Sequence, residues 1–206
     1  MSLRLSYTLL APFYDLAIRR PLHKARLRSL QALPQTGACS VLINGVGTGL
    51  DLPLLPVNHR YVSLDLTTAM LARARSRGKS LNIAYVQGDS MALPFADESF
   101  DHAVLHLILA VVSNPTLCLT ETVRVLKPGG TILVFDKFLR SGESAWLRRA
   151  LNPLAHRIVT RFDVVLEDLL AATPQLEKES DVPVLASGWF RAVRLVKPAA
   201  PAQLSP

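Results

Sequence analysis

The chain has 206 residues, 50% hydrophobic and 19% charged, which is enough apolar material for a buried core and excludes a disordered chain. A net charge of +7 at pH 7 favours acidic partners, whether nucleic acid, an anionic membrane surface or an anionic substrate; the plainer alternative is a basic surface that only aids solubility. The two cysteines, Cys39 and Cys118, show no metal-ligand spacing and read as small buried thiols of a reduced, cytoplasmic protein.

Residues 7–33 read as helical. Leu9, Leu10, Phe13, Ala17 and Ile18 share one face, which Leu22, Leu27 and Leu30 continue after Pro21. Arg19, Arg20, His23, Lys24, Arg26 and Arg28 crowd the other side, as a solvated basic face or a surface for lipid phosphates. Met1–Leu10 lacks the apolar core and cleavage site of a secretory signal. The longest apolar run, Ala103–Val112, is too short for the roughly 20 residues of a bilayer crossing, so a soluble or peripheral protein is expected.

Val41–Ile43 is the first strand, and it leads into Gly45, Gly47 and Gly49. A strand opening into a glycine loop and then a helix suits a nucleotide-like cofactor, because glycine lets the backbone turn tightly and approach a ligand. Leu50–Leu55, broken by Pro53, is a short or irregular helix. Tyr61–Leu64 is the second strand and ends at Asp65, about the 20-residue distance at which a carboxylate meets ribose hydroxyls. Thr67 caps a helix over Thr68–Arg77 that Gly78 closes. Ile83–Val86 is the third strand, with Gly88, Asp89 and Ser90 at its carboxyl end. Ala103–Leu107 is the fourth, and Ile108–Val112 continues as an apolar loop or helix. Leu117–Leu126 is a helix stopped by Lys127-Pro128-Gly129-Gly130, and Thr131–Phe135 is the fifth strand.

Beyond it, Ala145–Phe162 is basic and amphipathic, and Glu167–Ala172 is a short helix. Leu176–Glu179 and Phe190–Val196 form a final hairpin around a loop holding Pro183, Gly188 and Trp189. Strand–helix alternation of this kind is the pattern of an open parallel sheet with helices on both faces, whose ligands bind beyond the carboxyl ends of the strands. Gly45–Gly49, Asp65, Asp89, His106 and Asp136 all stand at such ends.

The strings V-L-I-N-G-V-G-T-G (Val41–Gly49), L-P-F-A-D-E-S-F-D (Leu93–Asp101) and R-V-L-K-P-G-G (Arg124–Gly130), with Asp65 and Gly88-Asp89 between them, resemble the class I S-adenosylmethionine-dependent methyltransferases in order and spacing. Tyr7, Tyr14-Asp15 and the L-P-F signature are similar to the branch of the quinone-ring C-methyltransferases and bacterial phosphatidylethanolamine N-methyltransferases; G-V-G-T-G-L-D-L-P-L-L-P is nearest the second group. The resemblance implies an α/β, Rossmann-like seven-stranded, mostly parallel sheet with the last strand antiparallel and helices on both faces. It implies a helical lid over residues 1–36, a methyltransferase domain over 37–198 with a basic insertion at 140–162, and a flexible tail at 199–206.

It also implies S-adenosyl-L-methionine as cofactor, held by Asn44, Gly45, Gly47, Gly49, Asp65, Leu66, Asp89, Ser90, Met91 and His106. Asp65 would take the ribose hydroxyls and Asp89 the adenine edge. His106 would line the floor facing the acceptor, and Tyr14 would help close the lid or pack in the core. Two departures stand out. Ile43 occupies the position where the family has an acid for the cofactor's ammonium, which implies weaker binding, a substituting backbone carbonyl or a changed activity. Asp136-Lys137 replaces the Asn-His usual in the phospholipid group.

Methyl transfer needs no triad, but an amine or carbon acceptor needs a base. His106 is the first candidate, the alternative being a satisfied core histidine; Asp136 is the second, the alternative being a surface carboxylate paired with Lys137. The expected partner is a small molecule or lipid, with peripheral contact at an anionic membrane. A nucleic-acid substrate is disfavoured, since His106-Leu107-Ile108-Leu109 stands where such enzymes carry an N/D-P-P-Y/F motif. A cofactor-binding protein without methyl transfer is the third class, prompted by Ile43.

Overall fold

The computed structural model describes residues 22–139, 164–185 and 188–199. The readings for Tyr7, Tyr14, the first helical turns, the 145–162 stretch and the tail beyond residue 199 lie outside the described residues.

Within them, helix α1 (residues 22–30) leads to β1 (Ser40–Asn44), a 3-10 turn at Leu52–Leu54, β2 (Arg60–Asp65), α2 (Thr68–Arg77), β3 (Asn82–Gln87) and β4 (Phe100–His106). Then come α3 (Pro115–Val125), β5 (Leu126–Lys137), α4 (Leu166–Ala171), β6 (Glu177–Leu185) and β7 (Phe190–Val196). The seven strands form one sheet in the order β3-β2-β1-β4-β5-β7-β6. β7 runs antiparallel to β5 and β6, and the pairings from β3 to β5 are parallel. This is the doubly wound sheet with an antiparallel last strand that the motifs implied.

Alternation along the strands feeds two cores. Val41 and Ile43 of β1, Val104 of β4 and Leu133 of β5 pack with Leu30, Leu33, Leu52, Leu71 and Ala74 on one face. Leu42, Ala103, Leu105, Ile132 and Val134 turn to the other face, against Cys118, Leu119, Val123, Leu166 and Leu169 of α3 and α4. Because both faces are covered, the strands read as apolar runs rather than as alternating ones. Cys118 is buried as expected, whereas Cys39 is only partly covered.

Several expectations are corrected. On α1 the buried positions are Leu22, Ala25, Arg26, Ser29 and Leu30, a clean i, i+3, i+4, i+7, i+8 stripe. Leu27, expected inside, is 37% exposed, and Arg26, expected on the solvated face, is 6% exposed. The stripe is rotated because Arg26 meets a carboxylate across the interface. Pro183 lies within β6 rather than in the hairpin loop. β6 is the edge strand, so a missing N–H there costs no ladder bond on its outer side. Lys127–Gly130 lies within β5, where the β4 pairing jumps from Phe100↔Leu126 to His102↔Thr131.

The downstream motifs turn out to clasp one another. The Arg124 guanidinium donates to Leu93 O and Phe95 O, to both oxygens of Glu121 and to Asp97. Asp101 accepts from Ser40 N and from Lys127 Nζ, both at 2.7 Å. The L-P-F and R-V-L-K-P-G-G strings are thus two halves of one fastening that fixes the entrance to β4.

Candidate functional site

The carboxyl ends of β1, β2, β3, β4 and β5 converge on one edge of the sheet. At the end of β1 the chain enters the glycine loop with φ of +79° at Gly45, +55° at Gly47 and +81° at Gly49. Two of these positions show why side chains are excluded. A Cβ on Gly49 would stand 2.8 Å from Ala74 Cα, so the loop could not seat against α2. Gly47 is different: none of the described residues lies within 4 Å of where its Cβ would be, so its bare backbone leaves space that a ligand can use.

Asp65 closes the other side of the loop. Its Oδ2 accepts from Gly47 N at 2.9 Å and its Oδ1 from Thr67 N at 3.0 Å. Burial raises its pKa, and the bonds from Thr67 and Gly47 offset only part of that. Oδ1 also takes the Thr67 hydroxyl at 3.4 Å, so Oδ2 is the oxygen that keeps a lone pair for an incoming hydroxyl. Thr67 caps α2 by accepting from Met70 N, as its sequence position implied.

Gly88 N donates to Asp65 O and Gln87 Nε2 to Leu66 O, which ties the ends of β2 and β3 together. Leu66 itself is 42% exposed at this edge. Asp89 Oδ1 accepts from Met91 N at 2.9 Å, folding a tight turn in which Ser90 is buried. Met91 Sδ takes the Ser113 hydroxyl at 3.3 Å. The structure therefore gathers Gly45, Gly47, Gly49, Asp65, Leu66, Asp89, Ser90 and Met91 at one edge. Asn44 is the exception. Its amide points away, into α3, donating to Thr122 Oγ1 at 3.1 Å and to Cys118 Sγ, so only its backbone belongs to the loop.

His106, at the end of β4, is not a free base in this state. Its Nδ1 lies 2.9 Å from Asp51 Oδ1 and its Nε2 3.0 Å from Ser29 Oγ, with the ring edge-on to Phe135. Nδ1 is the donor to the carboxylate, and Nε2 accepts the Ser29 hydroxyl whenever it carries no proton. The next residue, Leu107, has φ of +60°, a strained conformation for a branched side chain, of the kind that collects at working sites.

Asp51 also accepts from Arg26 Nη1 at 2.7 Å. Burial alone would raise its carboxyl, but the charges and hydrogen bonds of His106 and Arg26 hold it well below the usual carboxylate range. Arg26, Ser29 and Asp51 escaped the sequence reading. The available signal was a single acid, Asp51, inside an otherwise apolar L-D-L-P-L-L-P string directly after the glycines.

Asp136 is fully buried, not a surface carboxylate. Its Oδ2 accepts from Ala110 N and its Oδ1 from Lys137 N, so it pins the turn after β4. Burial raises its pKa against these bonds, while burial lowers that of Lys137.

The residues present fit an adenosyl amino-acid ligand. Gly47 offers open backbone, Asp65 an acceptor oxygen, and buried Arg26 an Nε–H without a partner among the described residues.

Comparison with known proteins agrees. A family profile described as "Methyltransferase domain" matches residues 42–134. A phosphatidylethanolamine N-methyltransferase of Cereibacter sphaeroides is 31% identical over 186 residues, covering 88% of this chain and 91% of that protein. A demethylmenaquinone methyltransferase of Renibacterium salmoninarum is 35% identical over 120 residues, 55% of this chain and about half (49%) of that protein. Among solved structures, the N-methyltransferase NodS of Bradyrhizobium japonicum, in complex with S-adenosyl-L-homocysteine, superposes with a TM-score of 0.65 at 19% identity, covering 87% of each chain.

Proposed function

Because the chain belongs to the class I S-adenosylmethionine-dependent methyltransferases, we propose that the acceptor of its methyl transfer is the amine of a phospholipid headgroup, reached from an anionic membrane surface. One observation carries this reading. The match to the phosphatidylethanolamine N-methyltransferase runs through 88% of the chain, well beyond residues 42–134, whereas matches to two demethylmenaquinone methyltransferases span 55% and 63%. Relatives that share a cofactor differ in the acceptor, so similarity that extends past the cofactor-binding core speaks to the acceptor.

The surface is compatible. His23, Lys24, Leu27 and Arg28 form the exposed side of α1, basic residues around an apolar one. Each Lys or Arg near an anionic membrane contributes about 1 kcal/mol of attraction at physiological salt. Among the described residues no helix is long and apolar enough to cross a membrane, and the proposed contact is peripheral.

The bound cofactor supplies an electrophilic sulfonium methyl; the protein supplies alignment and exclusion of water. The glycine loop and Asp65 hold the adenosyl end, with Asp89, Ser90 and Met91 at the adenine. A headgroup ammonium must lose a proton before its nitrogen can attack. His106 Nε2 is the group to take it, once the Ser29 hydroxyl gives way, with Asp51 fixing the ring. Asp136 is committed to backbone donors and serves the scaffold.

The test uses methyl-labelled S-adenosylmethionine with vesicles of phosphatidylethanolamine and phosphatidylglycerol, beside phosphatidylcholine vesicles and a demethylated quinol. Label is expected in the methylated ethanolamine lipid, with vesicle retention lost at high salt. Label confined to the quinol would move the acceptor to a ring carbon and overturn the proposal.

A further inference from the structure

The amino-acid end of S-adenosylmethionine is a zwitterion, so its subsite needs an anion for the ammonium and a cation for the carboxylate. The usual anion position is taken by Ile43, and its surroundings could not support a charge. Ile43 is 2% exposed and packs among Leu30, Val46, Leu52 and Val104. A carboxylate placed there would lose its hydration with no donor in return.

A buried carboxylate does stand nearby. Ile43 is in register with Val104 on β4, and His106, two residues further along β4, faces the same side of the sheet at the level of Gly45. His106 bonds Asp51, two residues beyond Gly49, and Asp51 bonds Arg26 of α1. The charge missing from the end of β1 is therefore present at the same edge and on the same face, carried by the segment after the loop.

The pair is also unsaturated. Asp51 uses one lone pair on each oxygen, which leaves two. Among the described residues, only Nη1 of Arg26 makes a hydrogen bond, to Asp51, and the buried Nε–H has no partner. Buried donors in native proteins are paired in the great majority of cases, so an orphan beside a ligand edge marks where a ligand group belongs.

We propose that Asp51 has taken over the role of the acid absent at Ile43, accepting from the cofactor's ammonium, and that Arg26 donates its free Nε–H to the cofactor's carboxylate. This rests on the family's cofactor and is independent of the acceptor. α1 then does more than cover the sheet: through Arg26 it supplies part of the subsite for the amino-acid end.

Calorimetry on the full chain tests this with S-adenosylhomocysteine, its decarboxylated analogue and 5′-methylthioadenosine, which lacks the amino-acid end. Asp51→Asn is expected to weaken S-adenosylhomocysteine and the decarboxylated analogue by about tenfold or more, while methylthioadenosine stays within about twofold. Arg26→Gln is expected to weaken S-adenosylhomocysteine alone. An equal loss for all three ligands would mean that the pair only holds the fold, and unchanged S-adenosylhomocysteine affinity in both variants would place the zwitterion elsewhere; either overturns the proposal. Should Asp51→Asn fail to fold, the Arg26→Gln comparison of S-adenosylhomocysteine with its decarboxylated analogue decides alone.

Discussion

Two arginines of this protein sit in opposite kinds of site. Arg124 is 32% exposed and saturated: Nε, Nη1 and Nη2 all donate, to two carboxylates and two carbonyls besides. The Arg26 side chain is 8% exposed, with a single carboxylate partner among the described residues and a buried Nε–H left over. Burial makes an unsatisfied donor costly, whereas exposure makes a satisfied one nearly neutral. Among the described residues Arg191 on β7 also carries a buried Nη1 without a partner, but it has two carboxylates, Asp181 and Glu167, whereas Arg26 has one and stands beside the segment that follows the glycine loop.

Substitutions can break that contrast, and the largest effect belongs to the buried pair. Asp51→Ala leaves the Arg26 guanidinium without its counter-charge and is expected to cost about 3–5 kcal/mol in urea unfolding. Gly49→Ala comes next, at about 2–3 kcal/mol with loss of cofactor binding, because the new Cβ meets the backbone of α2. Gly47→Ala, whose Cβ meets none of the described residues, carries the left-handed strain of about 1–2 kcal/mol. Arg124→Ala is expected to cost about 1–2 kcal/mol and to leave methylthioadenosine affinity within about twofold, since its partners can turn to water.

The smallest effect is a pH dependence, and its sign separates two buried carboxylates. Asp51 is held below the usual 3.8, so its stabilisation is complete above that value and is lost as pH falls toward the folded value. The stability gap between wild type and Asp51→Asn therefore holds steady down to about pH 5 and narrows as pH falls further. Asp136 is raised, chiefly by burial, so its charged form opposes folding once pH climbs through the raised value. For Asp136→Asn the change falls above the ordinary 3.8 and runs the other way, wild type losing ground to the variant as pH rises, and parallel slopes would contradict the assignment.

The same contrast explains what the sequence could show. Gly45–Gly49, Asp65 and Asp89 were legible because strand ends follow from apolar runs, and a parallel sheet brings strand ends together. The seven strands and the antiparallel β7 came with the family resemblance, while the strand order β3-β2-β1-β4-β5-β7-β6 came from the structure. Arg26 was illegible, because helical periodicity sorts residues by hydrophobicity and its burial depends on a partner 25 residues away. Asp136 failed for a similar reason: its donor, Ala110 N, lies 26 residues earlier, and the adjacent Lys137 suggested a surface pair instead. The Leu93–Asp101 and Arg124–Gly130 strings were legible as motifs, but their mutual clasp was not, since it joins main-chain carbonyls to a side chain 29 and 31 residues on. His106 was legible as the end of β4; its two hydrogen bonds, to Asp51 and Ser29, required the fold.

The most direct test is a crystal structure with S-adenosylhomocysteine bound. The account predicts the amino-acid end on Asp51 and Arg26, the Arg26 Nε–H on the carboxylate, the ribose at Asp65, and the Arg124 clasp unchanged. An amino-acid end bound away from Asp51, with the Arg26 Nε–H still bare, would contradict it.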